Sequence, residues 1–371
     1  METASLSLEQ PIKKSTNWNQ VYALLGLNAA VVISWIAYHN YQPKVLTLFH
    51  FEELALFLVV AQAVILVCIP SIAGLIGDSM IKNNGNRFIV FTVGISVTAM
   101  VFMSVAFTVG TATSINLTAA LPFMIVIWLI SMNIFHSPAN SMLELFAPTK
   151  ELPIAMALMT MTTELLYALE PVVVWFVDLI GPVSTFALGG FLLIVTGYFF
   201  RKTTKDISLT REYEESKASK SNMPLVLSAG LVLGLATAIM MNKFPDLLAG
   251  KLATFSHTSL GGSHFVSFIL GLSALAAIPM SKLVNQLGTG KSVLYGLIGT
   301  FVFIFAIFMS GDEFTTITAC VLLAMSYSLA SVAAFPFALS NLSPKAVTFG
   351  AGIFFGSIEL ADGLMNVFDK L

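Results

Sequence analysis

The sequence predicts an all-α polytopic membrane protein with eleven transmembrane helices in two pseudo-repeated bundles, six plus five. Three observations lead there. Of 371 residues, 57% are hydrophobic and only 10% charged, whereas a soluble domain is closer to a quarter charged; the mean hydropathy is +0.87. The apolar residues run in stretches long enough to cross a bilayer core, which takes about 20 residues per helix. Landmarks of the first half then return, in order, in the second.

By length and composition the spans cover 19–41, 53–77, 88–110, 117–146, 152–180, 183–201, 224–248, 263–286, 291–310, 315–341 and 346–369. A polar stretch from Arg201 to Asn222 separates spans six and seven and is the linker. The expected domains are therefore residues 1–200 and 223–371, joined by 201–222. Span one follows a polar leader with Lys13 and Lys14 and lacks a small-residue cleavage site, so no removable signal peptide is expected. The bland alternative for its polar and aromatic residues is hydrogen bonding between helices and an interfacial aromatic belt with Tyr38 and Tyr41. Cys68 and Cys320 both lie in apolar runs and read as small core residues, without a disulfide or a metal.

The repeat aligns Asn40–Pro43 with Asn242–Pro245, Pro70 with Pro279, Pro138 with Pro336, and Pro148 with Pro344. Glu164 lies 16 residues beyond Pro148, and Glu359 lies 15 beyond Pro344. Both copies begin from the same side of the membrane, so the repeat is parallel. With the N-terminus in the cytoplasm, the inside segments hold 14 of the 18 Lys and Arg residues, which sets that orientation and places the chain in the cytoplasmic (inner) membrane. After span eleven the sequence holds only Lys370 and Leu371, so it carries no counterpart of span six, which fits either a naturally short chain or a truncated one.

Polar groups inside spans are costly and mark functional positions. In span four Asn133, His136, Asn140 and Glu144 recur at intervals of three and four, one face of a helix. The aligned positions in span ten are Ser331, Ala334, Ala338 and Leu342, so the second half lacks the stripe. Span one offers Asn28, Trp35, His39 and Gln42 on one face, with Asn40 beside them; His39 and Asn40 are the candidates for the cavity. Span five offers Thr160, Thr163, Glu164 and Tyr167, then Glu170 before Pro171. Asn242 ends span seven, and Glu359 with Asp362 occupies span eleven. The candidate substrate-binding or proton-coupling set is His39, Asn40, Asn133, His136, Asn140, Glu144, Glu164, Asn242 and Glu359. The bland alternative for each is hydrogen bonding that holds helices together.

Gly74 and Gly77 in span two permit close helix approach, and Asp78 at the span's edge can face a helix N-terminus or a basic loop. Gly74, Asp78 and Arg87 are the candidate gating residues. Phosphate loops, metal-spaced cysteine pairs and nucleophile elbows are absent, and no basic patch suggests nucleic acid. No enzyme activity and no cofactor are expected. Asn116–Leu117–Thr118 fits a glycosylation sequon by chance.

Gly74-x-x-x-Asp78, with Lys82 and Gly85–Asn86–Arg87 after it, resembles the loop motif of the major facilitator superfamily (MFS); Ser79 stands where that motif has its first Arg. The stretch from Asn133 through Pro138 and Asn140 to Pro148 is similar to the sugar-cation symporter and muropeptide-permease branches. The resemblance implies two helical bundles around a central cavity and alternating access by rocking, with the twelfth span peripheral. The resulting expectation is a secondary active transporter of a small polar organic solute, proton-coupled through Glu164. The alternative is a non-transporting membrane subunit of the same fold that binds a partner protein.

Overall fold

The computed structural model describes residues 15–84, 88–111, 119–205, 220–255 and 262–368. Among these residues the chain is helical throughout, with no strand. In order, the helices are α1 Trp18–Leu48, α2 Ala55–Asn84, α3 Phe88–Thr111, α4 Leu121–Asn140, α5 Leu143–Phe146, α6 Leu152–Ala168 and α7 Glu170–Thr204. There follow α8 Met223–Asn242, α9 Phe244–Phe255, α10 Gly262–Leu287, α11 Thr289–Met309, α12 Glu313–Ser340 and α13 Val347–Phe368.

Among the described residues, ten segments are long and apolar enough to cross a membrane. They reconcile with the eleven expected spans through α7, which is 35 residues long and leaves the helical region at Gly181 (φ 77°, ψ 170°). Pro182 disfavours a helical residue before it, and glycine accepts the positive φ, so Gly181–Pro182 forms a corner. The limb before the corner continues α6 with only Leu169 between them; the limb after it is the sixth span. The break at Leu169 sits ahead of Pro171, whose missing N–H is harmless in a first helical turn.

Helix contacts reproduce the repeat read from the prolines. In the first half α2 and α3 both pack on α4, and α1 packs on α6; in the second, α10 and α11 both pack on α12, and α8 packs on α13. The helix ends repeat as well: Asn17 N donates to Phe146 O (2.8 Å), and Asn222 N donates to Asn341 O (2.9 Å). These two bonds lie at one end of the bundle, the N-terminal end. The limb of α7 after Gly181 is the sixth span and has no counterpart after α13 among the described residues.

The first six spans meet the last five along α2–α13 and α6–α10, with α4–α13 and α6–α12 between them. The repeat exchanges each pair with the other, as a pseudo-two-fold requires. At Gly74 and Gly352 a Cβ would overlap the carbonyls of Thr348 and Pro70, so α2 and α13 touch backbone to backbone. Large apolar side chains such as Met100, Phe107, Leu294, Ile298 and Phe305 form the exposed outer surface, as lipid-facing helices require.

Candidate functional site

The stripe on α4 meets α1 and α6 in one hydrogen-bonded chain. His136 and Asn140 are one helical turn apart and face the same way. Asn140 Nδ2 lies 3.1 Å from His136 Nε2. The same nitrogen is 3.3 Å from Asn28 Oδ1 on α1. Asn28 Nδ2 donates to Thr163 Oγ1 on α6 at 2.7 Å. Asn28 and Asn140 are buried, and the His136 ring stands 6.0 Å from that of Phe355 on α13.

Glu164 follows Thr163 and turns to the other half of the molecule. It is 6% exposed and faces Ser273 of α10 and Ser331 of α12, with Tyr327 in electrostatic reach. The Tyr327 hydroxyl is 2.8 Å from Thr237 Oγ1 of α8. Glu164 Oε2 completes no hydrogen bond, and Thr160 Oγ1, one turn earlier, is likewise without a partner. A buried carboxylate with no cation beside it is expensive to hold as an anion.

A third group lies along the same seam. Asn242 Nδ2 donates to Asp362 Oδ1 at 2.8 Å. Asp362 acts electrostatically on His39 of α1 and on Glu359. Glu359, Glu170, Asp362 and Tyr327 all act on Tyr167 of α6. His136, Asn140, Glu164, His39, Asn242 and Glu359 are therefore brought together along the seam between the halves, in three groups.

Asn40 is not among them, and this corrects the expectation that it faces the cavity. Its amide donates to Asp178 Oδ1 (3.1 Å), which Lys44 also engages at 2.7 Å, on the exposed surface away from the N-terminal end. Asn133 turns back on its own helix, donating to Leu129 O at 2.8 Å. Glu144 falls on α5, beyond the break after Asn140, and is half-buried at the N-terminal end. The aromatic belt is corrected as well. Tyr38 and Tyr41 are buried; Tyr38 stacks on Trp128 at 4.6 Å, and Tyr41 Oη donates to Val177 O. Rings that pack inside leave no belt there. A void of about 30 Å³ lined by Tyr38, Gln42, Phe102, Trp128 and Phe186 lies in this packing and does not reach Glu164. Cys320 is buried and Cys68 exposed, so only the first is a core residue.

Of the gating candidates, Gly74 makes the α2–α13 contact described above. Asp78 accepts from the backbone N–H groups of Thr348 (3.2 Å) and Phe349 (2.9 Å), at the N-terminus of α13. A carboxylate there complements the helix dipole and binds orphan donors. Arg87 lies outside the described residues, as do most of the 201–222 linker and the Asn116 sequon.

Sequence reading did not single out Ser273, Tyr327 or Thr237. Serine, threonine and tyrosine are common in membrane helices, and no spacing marks these three. Ser331 carried one signal, its register with the α4 stripe.

No family model matches the sequence, and no curated protein matches it. Solved structures do. A bacterial homologue of the iron transporter ferroportin in its outward-facing state aligns with TM-score 0.69 and 14% identity over 94% of this chain and 91% of that one. A structure of a bacterial homologue of ferroportin in the outward-facing state with soaked iron aligns with TM-score 0.65 and 16% identity, over 94% and 90%. The human organic anion transporter MFSD10 (TETRAN) aligns with TM-score 0.67 and 12% identity, over 94% and 92%. At these identities the likeness is one of fold, and together with the parallel repeat and the exchanged helix contacts it shows that this chain has the major facilitator fold.

Proposed function

We propose that the protein is a secondary active transporter that moves a small polar organic solute across the cytoplasmic membrane by alternating access, coupled to protons, with its N-terminus in the cytoplasm. The observation that carries this reading is Glu164, a buried carboxylate between hydroxyls from both halves of the molecule. A site shared by two halves is exposed first to one side and then to the other as they rock. In this reading residues 1–200 and 223–371 are the rocking bodies, and Gly74 and Asp78 close the N-terminal end. The neighbours named for iron and for organic anions carry different cargo on this fold, so cargo has to be argued from the residues of this site.

The test is uptake by proteoliposomes under an imposed pH gradient, with sugars, amino-sugar peptides, organic acids and amines as candidate solutes. Wild-type protein is expected to accumulate one class above equilibrium, and Glu164→Gln to abolish accumulation while leaving exchange. Accumulation at the wild-type rate by Glu164→Gln would remove Glu164 from the mechanism. Co-purification of a stoichiometric protein partner, with no uptake of any class, would replace this reading with the partner-binding one.

A further inference from the structure

Resting on the transporter reading, we infer that the cargo is an organic cation, a protonated amine whose N–H groups engage Glu164, Ser273 and Ser331 where α6, α10 and α12 meet. Charge is the first argument. The acids along the seam are Glu164, Glu170, Glu359 and Asp362, and Asp362 acts on His39. No Lys or Arg is among the groups acting on Glu164, Tyr167 or Glu359. Lys44 is engaged at the outer surface by Asp178, and Lys251 by the carbonyls of Phe308 and Ser310. A carboxylate or phosphate beside Glu164 would meet a buried carboxyl on which no Lys or Arg acts, whereas an ammonium supplies the charge that lets it ionise.

Unfilled hydrogen-bonding capacity is the second argument, and it is independent of the charge. Glu164 Oε2 is buried without a completed hydrogen bond where the Ser273 and Ser331 hydroxyls face its carboxyl, with Ser273 0% and Glu164 6% exposed. Asn140 Oδ1 and Thr160 Oγ1 on the neighbouring helices are also buried and unsatisfied. Buried polar atoms seldom stay unpaired. A gap lined by lone pairs suits a ligand rich in donors, and an ammonium brings up to three N–H groups and no acceptor. A hard metal ion fits less well. It takes six or more oxygens, several of them carboxylate, and among the described residues no three of His, Cys, Asp and Glu are grouped to hold one.

The test is thermal unfolding of the full-length protein in lipid nanodiscs with matched sets of ligands. Each set carries an ammonium, a carboxylate or an alcohol on one carbon skeleton, graded from butyl to naphthylmethyl. Counterflow of every ligand that binds is then measured in proteoliposomes. The expected result is a concentration-dependent rise in Tm with the ammonium member alone, lost in Glu164→Gln and needing roughly tenfold more ligand in Ser273→Ala, which removes one hydrogen bond to a charge. Ser273→Ala keeps the reading testable if the Glu164 variant does not fold. A shift with the carboxylate or alcohol member, accompanied by counterflow, would overturn the cation inference and leave the transporter reading standing. A Glu164-dependent shift with Mn²⁺ and none with any ammonium would make this a metal site and overturn it too. Silence from every skeleton also overturns the inference; the uptake panel then decides the transporter reading separately.

Discussion

At the scale of single residues, His136 shows how a polar stripe in a membrane is made tolerable. Its Nε2 sits between Asn28 Oδ1, an acceptor, and Asn140 Nδ2, a donor. One neutral tautomer satisfies only one of these contacts. His136→Leu removes the partner of two buried amides and is expected to cost about 1–3 kcal/mol for each polar group left unpaired. His136→Gln keeps a side chain that can donate and is expected to restore most of the loss. Thermal unfolding of the two variants beside wild type measures this; equal Tm values would show that the chain contributes nothing to stability. The polarity of this stripe was legible because Asn, His and Glu stand out in an apolar run. The back-bonding of Asn133 and the outward turn of Asn40 were not, since helical spacing gives a face but not the partner a side chain selects on it.

Single helices carry two further predictions. Gly352 on α13 lies against the carbonyl of Pro70, while Gly250 on α9 has open space around its Cα. Gly352→Leu must force α2 and α13 apart, and overpacking of this kind costs about 1–3 kcal/mol. Gly250→Ala meets nothing and removes helix-interior glycine entropy, so it is expected to be neutral or stabilising by up to about 1 kcal/mol. A stable Gly352→Leu protein would refute the tight α2–α13 seam. The second concerns Asp312, the N-cap of α12, whose side chain accepts from Thr315 N at 2.8 Å. Hydrogen bonds from Thr315 hold its carboxyl below the ordinary aspartate value of 3.8. A lowered folded value stabilises the fold fully above the unfolded value, and that stability is lost as pH falls through the folded one. Unfolding temperatures of wild type and Asp312→Ala are expected to differ at neutral pH and to converge below pH 3.8.

For the whole molecule, Asp78 is the contact that ties one half to the other at the N-terminal end. It binds two backbone N–H groups of α13 from the end of α2. Asp78→Asn keeps the side chain's size and removes the charge, a loss of about 0.3–1 kcal/mol of dipole complementarity. Spin labels on the exposed Lys82 and Lys345 positions, at the end of α2 and just before α13, report the separation directly. The expected outcome is a longer and broader distance distribution in Asp78→Asn, with a larger population open at that end. An unchanged distribution would mean that the glycine contacts alone hold the seam.

The sequence by itself determined the class, the spans and the repeat, because bilayer length, apolar composition and proline position act locally along the chain. Even the corner at Gly181–Pro182, which divides two spans that follow one another without a loop, stands where residue types alone put it. For Asp78 the sequence left a helix N-terminus and a basic loop open, and the packing of α2 on α13 selected the first. Which residues share the seam was decided by tertiary structure. Ser273, Ser331 and Tyr327 reach Glu164 only because α6 packs against α10 and α12 across the two halves. That pairing joins positions more than 100 residues apart, and hydroxyl groups in apolar helices carry no local pattern that announces it.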